Sequence, residues 1–136
     1  MVEFKKYNPD GIAKPRSPYC HVNEVKGASK LVFLAGQVPL DQAGNVVGAD
    51  DFDQQCAQVY ANIATALKAA GAEWKHVVQL TSILVRAEDI EKFGAYRQRE
   101  FPQLFPNGAY PPNTLMIISR LANPAFRVEV QAVAAL

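Results

Sequence analysis

Two cysteines, two histidines and one tryptophan are all that this chain of 136 residues carries of those types. Cys20 and Cys56 fall on segments of different type with no ligand spacing, which excludes a disulfide framework and fits a reducing compartment. Cys20 and His21 are adjacent, so on an extended segment they point to opposite faces and cannot readily share a metal. His76 stands far off beside Trp74, and no metal is expected. An excess of one charge is also missing, with 14 Lys and Arg against 13 Asp and Glu, so no field draws a polyanion or an anionic membrane. No apolar run is long enough to span a bilayer. Met1 to Ser17 holds Lys5, Lys6, Asp10, Lys14 and Arg16 and no apolar core of an export signal. The expectation is a cytoplasmic protein that binds neither nucleic acid nor membrane. Walker, Gly-x-Gly-x-x-Gly and nucleophile-elbow patterns do not occur, which leaves nucleotide-dependent and triad chemistry without support.

What is present is a core. At 49% hydrophobic, residues 1–136 have apolar surface enough for one domain. The N-terminal third reads as a β meander. Leu31–Ala35 is a strand ended by Gly36, Val22–Val25 pairs with it through a turn at Gly27–Ser29, and Val46–Val47 follows a turn at Gly44-Asn45. From Asp51 to Ala70 the spacing of Phe52, Cys56, Val59, Ile63 and Leu67 predicts a helix, with Asp50 or Asp51 as N-cap and Gly71 as stop. Val77–Val85 is the next strand, with Val78, Leu80, Ser82 and Leu84 on one face and Val77, Gln79, Thr81, Ile83 and Val85 on the other. Glu88–Phe101 reads as a second helix burying Ile90, Phe93, Tyr96 and Phe101, ended by Pro102 and Pro106. Thr114–Ser119 and a segment from Arg127 complete the strands. This order predicts an α+β fold with both helices on one face of a mixed sheet. The other face needs a cover, most simply another subunit, which predicts a homo-oligomer with sites at its interfaces.

Few side chains invite chemistry. In the last strand Arg127, Glu129 and Gln131 alternate with Val128, Val130 and Ala132. For Arg127 and Gln131 a solvated face is the heavier reading. For Glu129 that reading stands level with a role as acceptor or proton-transfer group on a covered sheet face. Cys56, on the apolar stripe of a helix, reads as core, and Cys20 has only the ill-placed His21 as a base. The Arg97–Arg99 stretch reads as a solvated helix face rather than a nucleic-acid patch.

Four pieces taken together carry a resemblance: Pro18-Tyr19; Leu31-Val-Phe-Leu-Ala-Gly-Gln-Val-Pro39; the helix end Ala69-Ala-Gly71; and Arg127-Val-Glu-Val-Gln-Ala-Val133. In order and spacing, over nearly the whole chain, they resemble the RidA (YjgF) family, also termed endoribonuclease L-PSP. The resemblance implies a chorismate-mutase-like α+β fold and a homotrimer with clefts between subunits. It implies hydrolysis of reactive enamine or imine acids to a 2-oxo acid and ammonia, without metal or cofactor. It also implies that Tyr19 and Gly36 line the cleft and that Glu129 positions the attacking water. The arginine that clamps the substrate carboxylate in the family is Asn113 here, in Pro111-Pro112-Asn113-Thr114, a register supported by Arg120-Leu121, and the family's serine before the glycine is Ala35. An amide brings no charge to a carboxylate, and charge-assisted pairs are roughly twice as strong as neutral ones. The expectation is therefore a divergent member that deaminates a non-standard small-molecule metabolite, with Asn113, Thr114 and Gly36 holding it. Arg127 replaces the lost charge if it reaches the cleft. The alternative is a catalytically inactive trimeric module that binds a metabolite or regulates a partner.

Overall fold

The computed structural model describes all residues, Met1–Leu136, as β1 (Glu3–Tyr7), β2 (Val22–Lys26), β3 (Leu31–Phe33), α1 (Phe52–Ala69), β4 (Val77–Leu84), α2 (Asp89–Leu104), β5 (Asn113–Ile117) and β6 (Val128–Ala135). In α1 the apolar stripe does what its spacing requires, burying Phe52, Cys56, Val59, Ile63 and Leu67, and Gln55 and Tyr60, next to Cys56 and Val59, are buried with it. Asp51 is the N-cap, accepting from the Gln54 N–H at 3.2 Å. At the other end Gly71 takes φ 77°, and its N–H and that of Ala72 donate to the carbonyls of Lys68 and Leu67, satisfying groups the helix leaves open.

α2 departs from its predicted pattern. Ile90 is 42% exposed, and Asp89 and Arg97 are buried in its place, beside Phe93, Tyr96 and Phe101. Pro102 lies inside the helix, which runs to Leu104. The missing N–H falls in the last turn, and packing of Phe101 on Phe105, ring centroids 5.2 Å apart, holds that turn in place.

Four strands form one sheet in the order β3-β6-β4-β5, antiparallel except for the parallel β4–β5 pair, which α2 connects. One sheet face packs on the helices: Val128, Val130, Ala132 and Ala134 of β6 meet Leu80 and Leu84 of β4 and the α1 stripe in a single core. Val77 belongs to this face too, not to that of Thr81 and Ile83. Val77 pairs with Ala134 and Gln79 with Val133, so Val78 is an extra residue in the ladder, and a bulge of this kind flips the alternation. The α+β architecture with both helices on one side of a mixed sheet is thus the one observed.

The predicted N-terminal meander differs in its pairing. β2 pairs with β1, from Glu3↔Lys26 to Tyr7↔Val22, in a separate two-stranded sheet, and β3 pairs with β6. β1 is hard to see in the sequence because Glu3, Lys5 and Lys6 break up its apolar content. Its order comes from cross-strand polar partners, the Tyr7 hydroxyl donating to Glu24 at 2.8 Å and Lys5 lying 4.0 Å from the same carboxylate. No helix is long and apolar enough to cross a membrane.

Candidate functional site

Glu129 projects from the uncovered face of the sheet. It pairs with Ile83 of β4, on the face that also carries Gln131, Val133, Thr81 and, from β3, Phe33. Its exposure is intermediate, and it enters none of the chain's ion pairs. Beside it runs the segment that follows β3. Leu34 N–H donates to the Ala132 carbonyl, and Gln37 and Val130 exchange both of their backbone bonds, so three steps on one strand match two on the other. This bulge sets Gly36 directly against the carboxylate. A Cβ built on Gly36 would fall 1.9 Å from Glu129 Oε1 and 2.8 Å from its Cδ. Glycine is therefore required here for space: only a bare α-carbon leaves the carboxylate in its position.

Gly36→Ala follows as a test. Glu129 would swing away from the bulge, and since a displacement of about 1 Å can cost a reaction ~100-fold, a loss of that order is expected with little change in stability. Kinetics of the hydrolysis that the family resemblance implies, beside a denaturation curve, would measure both; unchanged kinetics would set aside the role expected of Glu129.

Thr114 shares the uncovered face, opposite Thr81, two strands from β6 and so about 10 Å across the sheet from it. Asn113, by contrast, pairs with Leu80 on the helix-covered face, and its side-chain oxygen accepts the hydroxyl of the buried Ser82 at 2.6 Å. Its amide fastens the start of β5 and does not face Glu129. Tyr19 lies elsewhere again, in a groove between the β1–β2 hairpin and the helix ends, edge-on to His21 with centroids 5.5 Å apart. The backbone next to it is tied down by Arg97, whose Nη2 donates to the Pro18 carbonyl at 2.8 Å. Of the residues singled out above, the fold of one chain thus gathers Glu129, Gly36 and Thr114 on one face, with Asn113 and Tyr19 apart.

Arg127 does not reach that face. Only 8% exposed, it forks onto the buried Asp89 through Nε at 3.0 Å and through Nη2, with its guanidinium 5.0 Å from the centre of the Phe52 ring. Its backbone N–H donates to Gln55 Oε1 at 2.8 Å, and Gln55 donates in turn to the Ala125 carbonyl. These bonds join the start of β6 to both helices, and rescue of a substrate charge by Arg127 is ruled out by geometry.

Arg97 is likewise not on a solvated face: it is 4% exposed, its guanidinium 5.4 and 4.9 Å from the Phe93 and Phe101 rings. The spacing Phe93, Arg97, Phe101, four residues apart each time, is the signal from which this stacking was legible. Burial pushes the thiols of Cys20 and Cys56 above the ordinary cysteine range, which keeps both protonated and poor nucleophiles.

Residues 12–136 match the family model described as endoribonuclease L-PSP. Protein DfrA of Myxococcus xanthus is 31% identical over 96% of this chain and 94% of its own length. A 2-iminobutanoate/2-iminopropanoate deaminase of Mus musculus is 26% identical, with 86% of this chain and 80% of that protein covered. Among solved structures, the Rid-family protein YyfB of Yersinia pestis superposes with a TM-score of 0.80 at 26% identity, over 98% of each chain.

Proposed function

The chain belongs to the endoribonuclease L-PSP family, the RidA/YjgF proteins, and from that membership we propose that it hydrolyses a reactive enamine or imine metabolite with Glu129 activating the water. The observation that carries the reading is the Gly36–Glu129 contact, which reserves a bare stretch of backbone for one carboxylate.

Glu129 accepts a proton from water as the water oxygen bonds to the carbon of the protonated C=N, whose π pair moves onto nitrogen. The neutral carbinolamine that results takes this proton from Glu129 onto nitrogen and returns its hydroxyl proton to the carboxylate. As the C–N bond breaks, ammonia departs and a C=O remains, so one water is consumed for each ammonia released. An enamine enters the same sequence after protonation at carbon. Three mammalian relatives, at 26%, 28% and 26% identity, carry the name 2-iminobutanoate/2-iminopropanoate deaminase, which supports this reaction class.

Nothing basic stands in the chain where an arginine would clamp a carboxylate: position 113 is an asparagine engaged with Ser82, and Arg127 is engaged with Asp89. The substrate proposed is accordingly an imine other than the simple 2-imino acids, with Thr114 and the backbone at Gly36 as its contacts. The working form proposed is a homotrimer in which a neighbouring copy covers the Glu129 face and brings its own Tyr19 to the cleft. Exposed Phe33 (72%) and Met116 (41%) on that face support such a cover, since bare apolar surface of this kind marks an interface.

Ammonia release from enamines and imines generated in situ tests the activity, with carboxylated and uncharged substrates compared. Turnover of at least one uncharged imine above the spontaneous rate is expected, together with a mass in solution three times that of one chain. A stable monomer at micromolar concentration would remove the proposed cleft. The missing arginine favours a second reading, a metabolite-binding module without catalysis, and saturable binding with no turnover across the substrate panel would decide for it.

A further inference from the structure

A groove of about 1200 Å³ lies between the β1–β2 hairpin, the C-terminal ends of α1 and α2, and the 3₁₀ turn at Trp74–His76. Neither Glu129 nor Gly36 lines it. Six aromatic side chains do: Phe4, Tyr7, Tyr19, Trp74, Phe105 and Tyr110. Among them stands Lys6, on the same hairpin face as Phe4.

Lys6 has only neutral company. Its Nζ donates to the Ala109 carbonyl at 2.9 Å and sits 5.9 Å from the centre of the Phe4 ring, and it enters no ion pair. Glu73, the one carboxylate lining the groove, pairs with Lys75 at 3.5 Å. Partial burial holds the Lys6 ammonium below the ordinary lysine range. An ammonium has three donors, and the Ala109 carbonyl takes one of them, which leaves two for a ligand. An anion seated there would regain that lost solvation, while the surrounding rings take an apolar body, the mixture of many apolar walls and few polar groups that ligand sites share.

We infer that this groove binds a small aromatic monocarboxylate, its carboxylate on Lys6 and its ring among Trp74, Phe105 and Tyr110, at a site that Glu129 of the same chain does not line. A single negative charge is specified because one ammonium, that of Lys6, stands among the rings.

Trp74 is the only tryptophan of the chain and lines the groove, so its fluorescence follows ligand entry there. Full-length protein titrated with 3-phenylpropionate should show a saturable change, with Kd on the order of 1 mM or tighter. The uncharged 3-phenylpropan-1-ol and the ringless propionate should each bind at least ~10-fold more weakly, as loss of a charged hydrogen bond or of ring burial requires. Lys6→Gln should weaken 3-phenylpropionate by a similar factor, and Glu129→Gln should bind it as the unaltered chain does. The inference is overturned by equal binding of acid and alcohol, by an unchanged Kd in Lys6→Gln, by loss of binding in Glu129→Gln, or by no saturation up to about 20 mM. If Lys6→Gln fails to fold, the comparison of acid with alcohol on the unaltered chain decides. Because Glu129→Gln is scored separately, failure here leaves the proposed hydrolysis standing, and the reverse.

Discussion

Glu129→Gln is expected to lower ammonia release by about 10²–10⁴-fold, the range that a positioned general base contributes. The substitution keeps the volume and the fit against Gly36 while removing the only group on that face able to take a proton from water. Its neighbours there are Ile83, Thr81, Gln131 and Val133, none of which ionises near neutral pH. The loss should fall on kcat, since a carboxylate that activates water acts in the transition state and adds little to ground-state binding. Stability should hardly change, because the side chain is partly exposed and makes no ion pair. A Gln variant as fast as the original would remove Glu129 from the mechanism.

Asp89→Ala should cost about 3–5 kcal/mol of stability, the usual consequence of leaving a buried charge without its partner. Asp89 is 0% exposed and accepts both the Nε and the Nη2 of Arg127, itself only 8% exposed. Alanine would strand the guanidinium between Phe52 and the first turn of α2, where no other carboxylate is bonded to it. The same carboxylate lies in the first turn of α2, so the helix dipole would lose a favourable charge as well. The pair Asp89→Leu with Arg127→Met should be far milder than Asp89→Ala alone, because it removes both charges and keeps apolar volume. Urea denaturation at one fixed protein concentration would measure this as a shift in midpoint at constant slope. If the single and double variants are equally destabilised, packing rather than charge is what the pair contributes.

How the site reads in the sequence differs from residue to residue. The α1 stripe was legible because five apolar residues at helical spacing admit one buried face, and Asp51 and Gly71 marked its ends by side-chain chemistry that acts within a few residues. The alternation around Glu129 was legible for the same reason, since Val128 and Val130 go to the core and leave Glu129 on the other face. Arg127 obeyed the same period on paper yet turned inward, because its partner Asp89 lies 38 residues away and no local pattern announces it. Ile90 and Asp89 exchanged their expected places in α2 for that reason too. The start of β4 was misread by one residue because the bulge at Val78 is a property of two strands in register, not of either one.

By itself, then, the sequence determined the elements with a repeating apolar period and the α+β order, which rest on short-range spacing, and the family to which the chain belongs, which rests on short motifs in their order along the chain. Only the tertiary structure decided that Gly36 lies against Glu129, that Asn113 turns to Ser82, that Arg127 is spent on Asp89, and that the β1–β2 hairpin closes an aromatic groove around Lys6. Each of these joins residues far apart in the chain, where the energy of a contact depends on which strands and helices the core has already brought together.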